Sequence, residues 1–408
     1  MASATPAILL SYDEAAAAVS GHAERVSVPA VERVALLDAA GRVLAEPVTA
    51  DRDQPPFPRS TRDGFACRAA ELAQGPLRIA GLLRAGEAWT GGALQAREAV
   101  EIMTGAAAPD GADCVAMIEH VAVSEGRVRL TAPRAPEPGE NIVAAGAEAR
   151  AGDVLVPAGR RVGATEMAAA ASCGLTRPEV YARPRVAILA TGDELVDPAE
   201  TPRAHEIRNS NSYSLAVQAA QAGGVPEIFP VVRDDPDATA GAIAEASRAD
   251  LILLTGGVSM GKFDFVEQAL LAQGAEFFFT GVRIQPGKPA VFGKLPGAYF
   301  FGLPGNPIST MVTFALFAAP LLRAMGGESE RGPQFVLARL EDEVRVKAGL
   351  TRFLPARIES DARGTRVQSI GWHGSGDLAA AARANAFLVV PETAERLTAG
   401  DVVSVLML

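Results

Sequence analysis

The feature that most constrains this chain is an alternation of short apolar runs and helical segments between residues 185 and 326. Runs that indicate strands lie at residues 186–190, 228–232, 251–254, 277–279, 290–293 and 299–303. The run at 251–254 contains only Leu and Ile, which is typical of a strand buried on both faces. Because strands joined by helices pair in parallel, residues 181–326 are predicted to form a doubly wound, mostly parallel α/β domain.

Several helices of the chain have recognisable first residues. Asp235 precedes Pro236 and Asn306 precedes Pro307, which predicts an N-cap residue followed by proline at the first helical position. Asn211 is predicted to cap a further helix that extends to about residue 222.

Strand-like runs dominate the rest of the chain. In residues 51–144 they are short and separated by Gly and Pro, which predicts a β-rich inserted module. After residue 326 a period of two returns, so residues 327–408 are predicted to form a C-terminal β-barrel-like domain. Residues 1–50 together with 145–180 are interpreted as an N-terminal linking domain. The predicted fold class is therefore multidomain, α/β plus β.

Composition limits what such a chain can do. Its 38 Lys and Arg and 48 Asp and Glu give a net charge of −10, which argues against a general nucleic-acid or anionic-membrane surface. The three cysteines form no CxxC pair, so neither a zinc site nor a disulfide framework is predicted, and a reducing cytoplasm is the expected setting. Residues 308–322 are apolar but too short and interrupted to span a bilayer, and are predicted to form a buried helix.

Four loops of the predicted α/β domain follow the carboxyl ends of strands, where ligands bind in open parallel sheets. Their glycines let backbone N–H groups approach a phosphate, and the helix that begins at Pro307 points its positive end to the same edge. Carboxylates in these loops would repel a phosphate unless a cation such as Mg²⁺ lies between them. The glycines are Gly192, Gly256, Gly257, Gly302 and Gly305, the carboxylates are Asp193, Glu194, Asp234, Asp235 and Asp264, and Lys288 is the best-placed cation.

Two of these carboxylates have a simpler explanation. Asp235 is better explained as a helix cap than as a direct ligand. Asp264 is equally well explained as a ligand or as an acidic residue that favours the first turn of its helix.

The loop motifs resemble those of the molybdopterin molybdenumtransferases of the MoeA type. They are Thr191-Gly-Asp-Glu-Leu195, Thr255-Gly-Gly-Val-Ser259, Pro286-Gly-Lys-Pro289 and Gly302-Leu-Pro-Gly-Asn-Pro307, and N-terminal signatures of that family match Pro55-Pro-Phe57, Arg62-Asp-Gly-Phe-Ala66 and Ile102-Met-Thr-Gly105. The resemblance implies an α/β domain of the molybdopterin-binding type. It also implies insertion of molybdate into adenylylated molybdopterin, with release of AMP and molybdenum cofactor. Mg²⁺ is the implied cofactor, and a homodimer formed through the linking domain is the implied assembly, with other molybdenum-cofactor biosynthesis proteins as further partners.

The resemblance also implies roles for individual residues, with Asp63 and Thr104 of one subunit facing the α/β domain of the other. The implied catalytic residues are Asp63, Thr104, Glu194, Asp234, Asp264 and Lys288, and the implied metal ligands are Glu194, Asp234 and Asp264. The implied substrate-binding residues are Gly192, Asp193, Gly256, Gly257, Ser259, Gly302, Pro304, Gly305, Asn306, Pro307 and Ser309.

The chain departs from the family pattern at Gln285, where the family has lysine, and at Arg62, where it has methionine. Two alternative functions stay open on the sequence. One is a molybdopterin adenylyltransferase, which shares the α/β domain but needs no other. The second is a catalytically impaired dimeric scaffold that binds the cofactor, for which the missing lysine is the argument.

Overall fold

A six-stranded sheet forms the centre of the α/β region. The structure is a computed structural model that describes residues 8–256 and 265–408. Across the sheet the strands are Val225–Ile228, Arg185–Ala190, Leu251–Thr255, Tyr299–Leu303, Val291–Lys294 and Glu276–Phe279. The first four pair in parallel and the last two join them antiparallel, which confirms the predicted mostly parallel sheet.

Helices cover both faces of this sheet. On one face lie Asn211–Gln221 and a continuous helix at Pro307–Met325, packed around Leu215, Ile308 and Phe317. On the other face lie Pro236–Ala246 and Phe265–Ala272, packed around Ile243 and Val266. The fold is therefore doubly wound, as the sequence predicted.

The helix at Pro307–Met325 contains the apolar stretch noted in the sequence. It spans 19 residues and is apolar enough to cross a membrane by length and composition alone. However, 83% of its most apolar window is buried inside the fold, and Ile308, Val312 and Leu321 are fully enclosed in the core. Its apolar residues are therefore explained by packing, which confirms the predicted buried helix.

Two local predictions are wrong. Asn211 is the first residue of its helix, and the N-cap position belongs to Ser210. The strand expected at 228–232 is instead Val225–Ile228, because an extra residue interrupts the ladder beyond it: Phe229 N–H donates to Ile188 O at 3.0 Å, but the next bond comes from Val232, whose N–H donates to Ala190 O at 2.9 Å.

The N-terminal residues divide between two cores. The pair Leu9–Leu10 with Gly281–Val282 and the helix Tyr12–Ala23, which begins with a capping box at Ser11, pack onto the α/β core. A separate small core joins residues 39–48 to 156–180. Its elements are Val31–Arg33 with Glu179–Tyr181, Leu36–Ala39, Val48–Thr49 with Val154–Val156, and the helix Ala164–Ser172. The domain boundaries proposed from the sequence stay a prediction.

The inserted module is built on a second six-stranded sheet. Its strands, in spatial order, are Cys114–Met117, Gly64–Cys67, Glu98–Ile102, Leu77–Leu83, Arg127–Leu130 and Val121–Ser124. The pair Arg59–Ser60 with Ile142–Val143, the helix Ala69–Ala73 and the turn Ile118–His120 complete it. All three cysteines are buried and unbridged, as small apolar residues would be.

The C-terminal region is a closed five-stranded barrel. Its strands, around the ring, are Thr351–Asp361, Gly364–Ser369, Phe335–Leu340, Val402–Met407 and Ala386–Val390, and the last pairs again with the first. The pair Val344–Arg345 with Arg396–Leu397 and the helix Leu378–Arg383 lie beside it. Strand Ile284–Gln285 of the α/β region pairs with Thr351–Asp361, which ties the barrel to the α/β region.

Candidate functional site

Four loops follow the parallel strands and meet at one edge of the α/β sheet. We call these residues, 191–194, 229–235, 256 and 304–306, the rim. Two backbone hydrogen bonds and one bridge connect these loops. Gly192 N–H donates to Val232 O at 3.2 Å and Thr191 bridges Val232, which joins the first loop to the second. Thr191 N–H donates to Thr255 O at 3.0 Å, which joins the first loop to the strand end that leads into the third. An added Cβ on Gly305 would lie 3.6 Å from Gly256 Cα, so the fourth loop adjoins the third. The convergence predicted from the parallel strands is confirmed.

Gly192 is a position that only glycine fits. Its φ is +146°, a conformation that residues with a side chain rarely adopt. A Cβ there would also lie 2.5 Å from Glu194 Oε2. The glycine therefore leaves room for the Glu194 carboxylate at the rim.

Asn211 links two rim loops, a role that the sequence did not suggest. Its Nδ2 donates to Thr255 Oγ1 at 3.0 Å and to Gly305 O at 2.7 Å. The first turn of the helix Asn211–Gln221 thus supports both the end of the central strand and the loop that enters the apolar helix. A polar residue that begins a helix is most simply explained as a cap, which is why the pattern was misinterpreted.

The barrel also reaches the rim. Asn306 takes the N-cap position before Pro307, as predicted, but its side chain makes no capping bond. Instead Nδ2 of Asn306 donates to Ser375 Oγ at 2.8 Å, and Ile308 N–H donates to Ser375 O at 3.0 Å. Ser375 was missed because nothing in its local sequence indicates a contact with a helix 69 residues away.

Lys288 lies exposed in a loop packed against the helix Pro307–Met325. The close approach requires Gly287, since a Cβ there would lie 2.6 Å from Thr313 Cγ2. Beside this loop, Gln285 Oε1 accepts a hydrogen bond from Arg352 Nε at 2.9 Å. Arg352 is only 8% exposed, and among the described residues no carboxylate forms an ion pair with it. A buried cation therefore stands next to the position where the family lysine is missing.

The acidic residues of the rim are exposed. Asp193 Oδ1 accepts a hydrogen bond from Asp234 N–H at 3.4 Å and lies 3.8 Å from Arg233 Nη1. The first two loops are therefore joined by a hydrogen bond and an ion pair. Asp235 caps its helix by accepting from Ala238 N–H at 2.8 Å, which confirms the simpler explanation of that residue. Glu194 and Asp234 are the rim residues whose exposed carboxylates form no hydrogen bond or ion pair among the described residues.

Other predicted residues fall into three groups. Gly302 lies inside the strand Tyr299–Leu303, paired on both sides, so its loop begins at Pro304. Ser309 is buried in the first turn of the helix Pro307–Met325. Gly257, Ser259 and Asp264 lie outside the described residues. Within the described ranges no group of three or more His, Cys, Asp or Glu side chains is arranged to hold a metal ion.

Asp63 and Thr104 form a pair in the inserted module. Oδ1 of Asp63 accepts both the backbone N–H and the hydroxyl of Thr104, each at 2.7 Å. These two bonds, the backbone bond first, hold the pKa of the Asp63 carboxyl below its usual range, so it stays ionised. Among the described residues of one chain, no hydrogen bond or ion pair joins this pair to the rim.

The rim offers what an anionic ligand with a hard cation requires. Its loops carry backbone N–H groups and exposed carboxylates, and the loop of Lys288 packs against the helix that begins at the rim. In addition, Oγ1 of Thr191 is buried at the rim and has no hydrogen-bond partner among the residues that the structure describes. A buried polar atom of this kind is costly unless something satisfies it, and a bound ligand is one such group.

Three protein-family models match successive parts of the chain. Residues 10–174 match the sequence model of the MoeA N-terminal region (domain I and II), residues 187–324 that of a probable molybdopterin binding domain, and residues 337–408 that of the MoeA C-terminal region (domain IV). Curated relatives named molybdopterin molybdenumtransferase include one from Nostoc sp., 36% identical over 391 residues (92% of this chain and 88% of the relative). One from Staphylococcus aureus is 33% identical over 392 residues (94% and 92%).

Solved structures agree with these relatives. A molybdopterin biosynthesis MoeA protein from Pyrococcus horikoshii is 31% identical with a TM-score of 0.74, covering 98% of this chain and 99% of that one. A second structure from the same organism is 27% identical with a TM-score of 0.81, covering 98% and 100%. The chain therefore belongs to the MoeA family.

Proposed function

We propose that this chain is a molybdopterin molybdenumtransferase, which inserts molybdenum from molybdate into molybdopterin. The observation that carries the proposal is the convergence of four loops from distant parts of the chain at one sheet edge, in a chain that matches the MoeA family over most of its length. The curated relatives carry the name of this activity.

The substrate is adenylylated molybdopterin, and AMP is released when molybdate is inserted. Backbone N–H groups at Gly256 and Gly305 suit phosphate oxygens, and the start of the helix Pro307–Met325 adds a favourable dipole. The orphaned Thr191 hydroxyl supplies a further hydrogen bond to the same ligand.

Molybdate is an anion, so its site needs positive charge. Lys288 supplies one charge, and Arg352 supplies another beside Gln285. Gln285 lacks the positive charge of the family lysine, but its side chain orients the Arg352 guanidinium. The charge of Arg352 then compensates for the departure from the family pattern. Turnover rather than mere binding is therefore expected.

Mg²⁺ fits the donor set of the rim, because carboxylate oxygens are its usual protein ligands. Glu194 and Asp234 would hold it, with Asp264 as the third predicted ligand. When bound, the ion would neutralise phosphate charge between the substrate and the rim carboxylates. Without it these carboxylates repel the substrate.

The active assembly is a homodimer in the cytoplasm. Asp63 and Thr104 form a preorganised pair that has no bond to the rim within the described part of one chain, so the rim of the partner subunit is its natural counterpart. Burial of all three cysteines without a bridge supports a reducing compartment.

The test is AMP release from adenylylated molybdopterin, measured with and without molybdate and Mg²⁺. We expect release that depends on both and yields active molybdenum cofactor. If AMP never appears at saturating substrate, the proposal fails, and tight binding without turnover would identify a scaffold.

A separate incubation with ATP and molybdopterin tests the adenylyltransferase function. Matches to residues 10–174 and 337–408, outside the domain that an adenylyltransferase needs, disfavour it. ATP-dependent adenylylation would nevertheless replace the proposed function.

A further inference from the structure

A cavity lies at the opposite edge of the α/β sheet from the rim. Its volume is ≈500 Å³, within the range of small-molecule sites. Its lining includes Pro184, Asp250 and Tyr299, which lie at the starts of the strands whose ends carry the rim loops. Since a strand rises roughly 3.3 Å per residue, the five residues of Leu251–Thr255 place this cavity roughly 15 Å from the rim.

Three cations line this cavity: Arg25, Arg183 and Lys294. None of them forms an ion pair among the described residues. The acidic residue in the lining, Asp250, uses Oδ2 to accept Arg185 N–H at 2.7 Å. The cavity thus carries an excess of two positive charges in a chain with a net charge of −10.

Other cavities of the molecule do not share this excess. A cavity of ≈350 Å³ contains Arg160 and Arg161, and both are paired with glutamates. A cavity of ≈250 Å³ contains Arg134, which is paired with Glu137 and Glu140. Arg323, in a cavity of ≈630 Å³, also lacks an ion pair among the described residues, but it is a single cation and donates to the carbonyl oxygens of Arg331 and Gly332, whereas the opposite edge brings three cations together.

The surroundings of Arg183 reflect the same excess. Partial burial lowers the pKa of its guanidinium, and the charges of Arg42 and Arg161 lower it further. Lys294 lies with Nζ 4.9 Å from the centre of the Tyr299 ring, which fixes the direction of its charge. The charge of Glu32 offsets this repulsion only in part, and an anion bound here would offset it further.

The rest of the lining is apolar and stiff. Pro29, Pro184, Pro296 and Met325 supply walls that suit an organic group. Two walls come from residues 26–30 and 182–184, where the chain passes between the α/β region and the strands of the linking region. A ligand here would therefore contact both regions.

We propose that this cavity binds an organic phosphomonoester. A phosphate dianion matches the excess of two charges. The volume exceeds that of a free phosphate several-fold, and the proline-rich walls accommodate the organic part. The site is distinct from the rim and independent of the proposed function.

Ribose 5-phosphate is a suitable probe, with ribose and inorganic phosphate for comparison, in calorimetric titrations of the full-length protein at low salt. We expect ribose 5-phosphate to bind more tightly than inorganic phosphate, and ribose not to bind. The double variant Arg25→Gln/Lys294→Gln and the single variant Arg183→Gln should each weaken binding roughly tenfold or more, because each loses charge-assisted contacts.

Two control variants locate the site. Arg160→Gln removes an arginine that is already paired, and Lys288→Gln removes the cation near the rim, so both should bind ribose 5-phosphate as the unmodified protein does. The His22 ring stacks on the Phe278 ring with 3.8 Å between the ring centroids, close to Arg25 and Lys294. Its NMR resonance should therefore shift when ribose 5-phosphate binds. The proposal is overturned if ribose 5-phosphate does not bind, if inorganic phosphate binds equally well, or if only Lys288→Gln abolishes binding.

Discussion

The rim and the Asp63–Thr104 pair hold their functional groups in different ways. Asp63 immediately precedes the strand Gly64–Cys67, and Thr104 follows shortly after Glu98–Ile102, its antiparallel neighbour, so the sheet itself brings them together. Two hydrogen bonds then fix the carboxylate. At the rim, by contrast, Glu194 and Asp234 come from separate loops and face solvent. Under the proposed function a bound ligand would complete their arrangement, whereas the hydrogen bonds of the pair are already formed.

The largest effect is expected at the rim. Glu194→Gln keeps the size of the side chain but removes the charge that would hold Mg²⁺ or move a proton. AMP release should fall about a hundredfold or more. Glu200→Gln, a nearby exposed acid outside the rim, is the matched control and should release AMP at the normal rate. Unchanged turnover in Glu194→Gln would remove this residue from the mechanism.

Mixing two inactive variants tests whether the rim and the pair work together across a dimer. Asp63→Asn and Glu194→Gln homodimers should each be nearly inactive. If the subunits are exchanged in equal amounts, half of the dimers are mixed and each has one intact site, so about a quarter of the normal activity should return. A mixture that exchanges subunits and stays inactive would contradict a site shared between subunits.

A smaller effect is expected for the residue that links two rim loops. Asn211→Ala removes hydrogen bonds to Thr255 and Gly305, which should lower the free energy of unfolding by about 1–3 kcal/mol. Urea unfolding measures this change, and Gln221→Ala, at the exposed end of the same helix, is the control. Equal stability of the two variants would show that the link contributes nothing.

The smallest effect is expected in the pair. Thr104→Val removes the hydroxyl but keeps the backbone N–H, so the pKa of Asp63 should rise towards its usual range without reaching it. A lowered carboxyl pKa stabilises the fold above the unfolded-state pKa, and this contribution disappears as the pH falls through the folded-state pKa. The free energy of unfolding of the variant should therefore be lower than that of the unmodified protein at neutral pH, and the two values should be equal in acid.

Carboxyl titration followed by NMR measures that pKa directly, with Thr90→Val as an exposed control. An unchanged pKa in Thr104→Val would mean that the backbone bond alone accounts for it.

The general position of the rim was predictable because it depends on local patterns. Apolar runs separated by helices predict parallel strands, and parallel strands place their following loops at one edge. The Asp235 cap was predictable for the same reason, since a cap and its proline are adjacent in the sequence.

The contacts of Asn211, Ser375 and Arg352 were not predictable from such patterns. Each joins residues far apart in the chain: Asn211 to Gly305, Asn306 to Ser375, and Gln285 to Arg352. They depend on how the barrel and the helices pack, which no local period encodes. Similarly, the edge strand ends earlier than expected because an extra residue interrupts its ladder between Phe229 and Val232, although the apolar run continues beyond it.

The most direct measurement is a crystal structure of the protein with AMP bound. The account predicts AMP at the rim, with its phosphate at the backbone N–H groups of Gly256 or Gly305, and with the Asp63–Thr104 pair of a second subunit facing it. AMP bound away from the rim, or a rim approached by no second subunit, would contradict it.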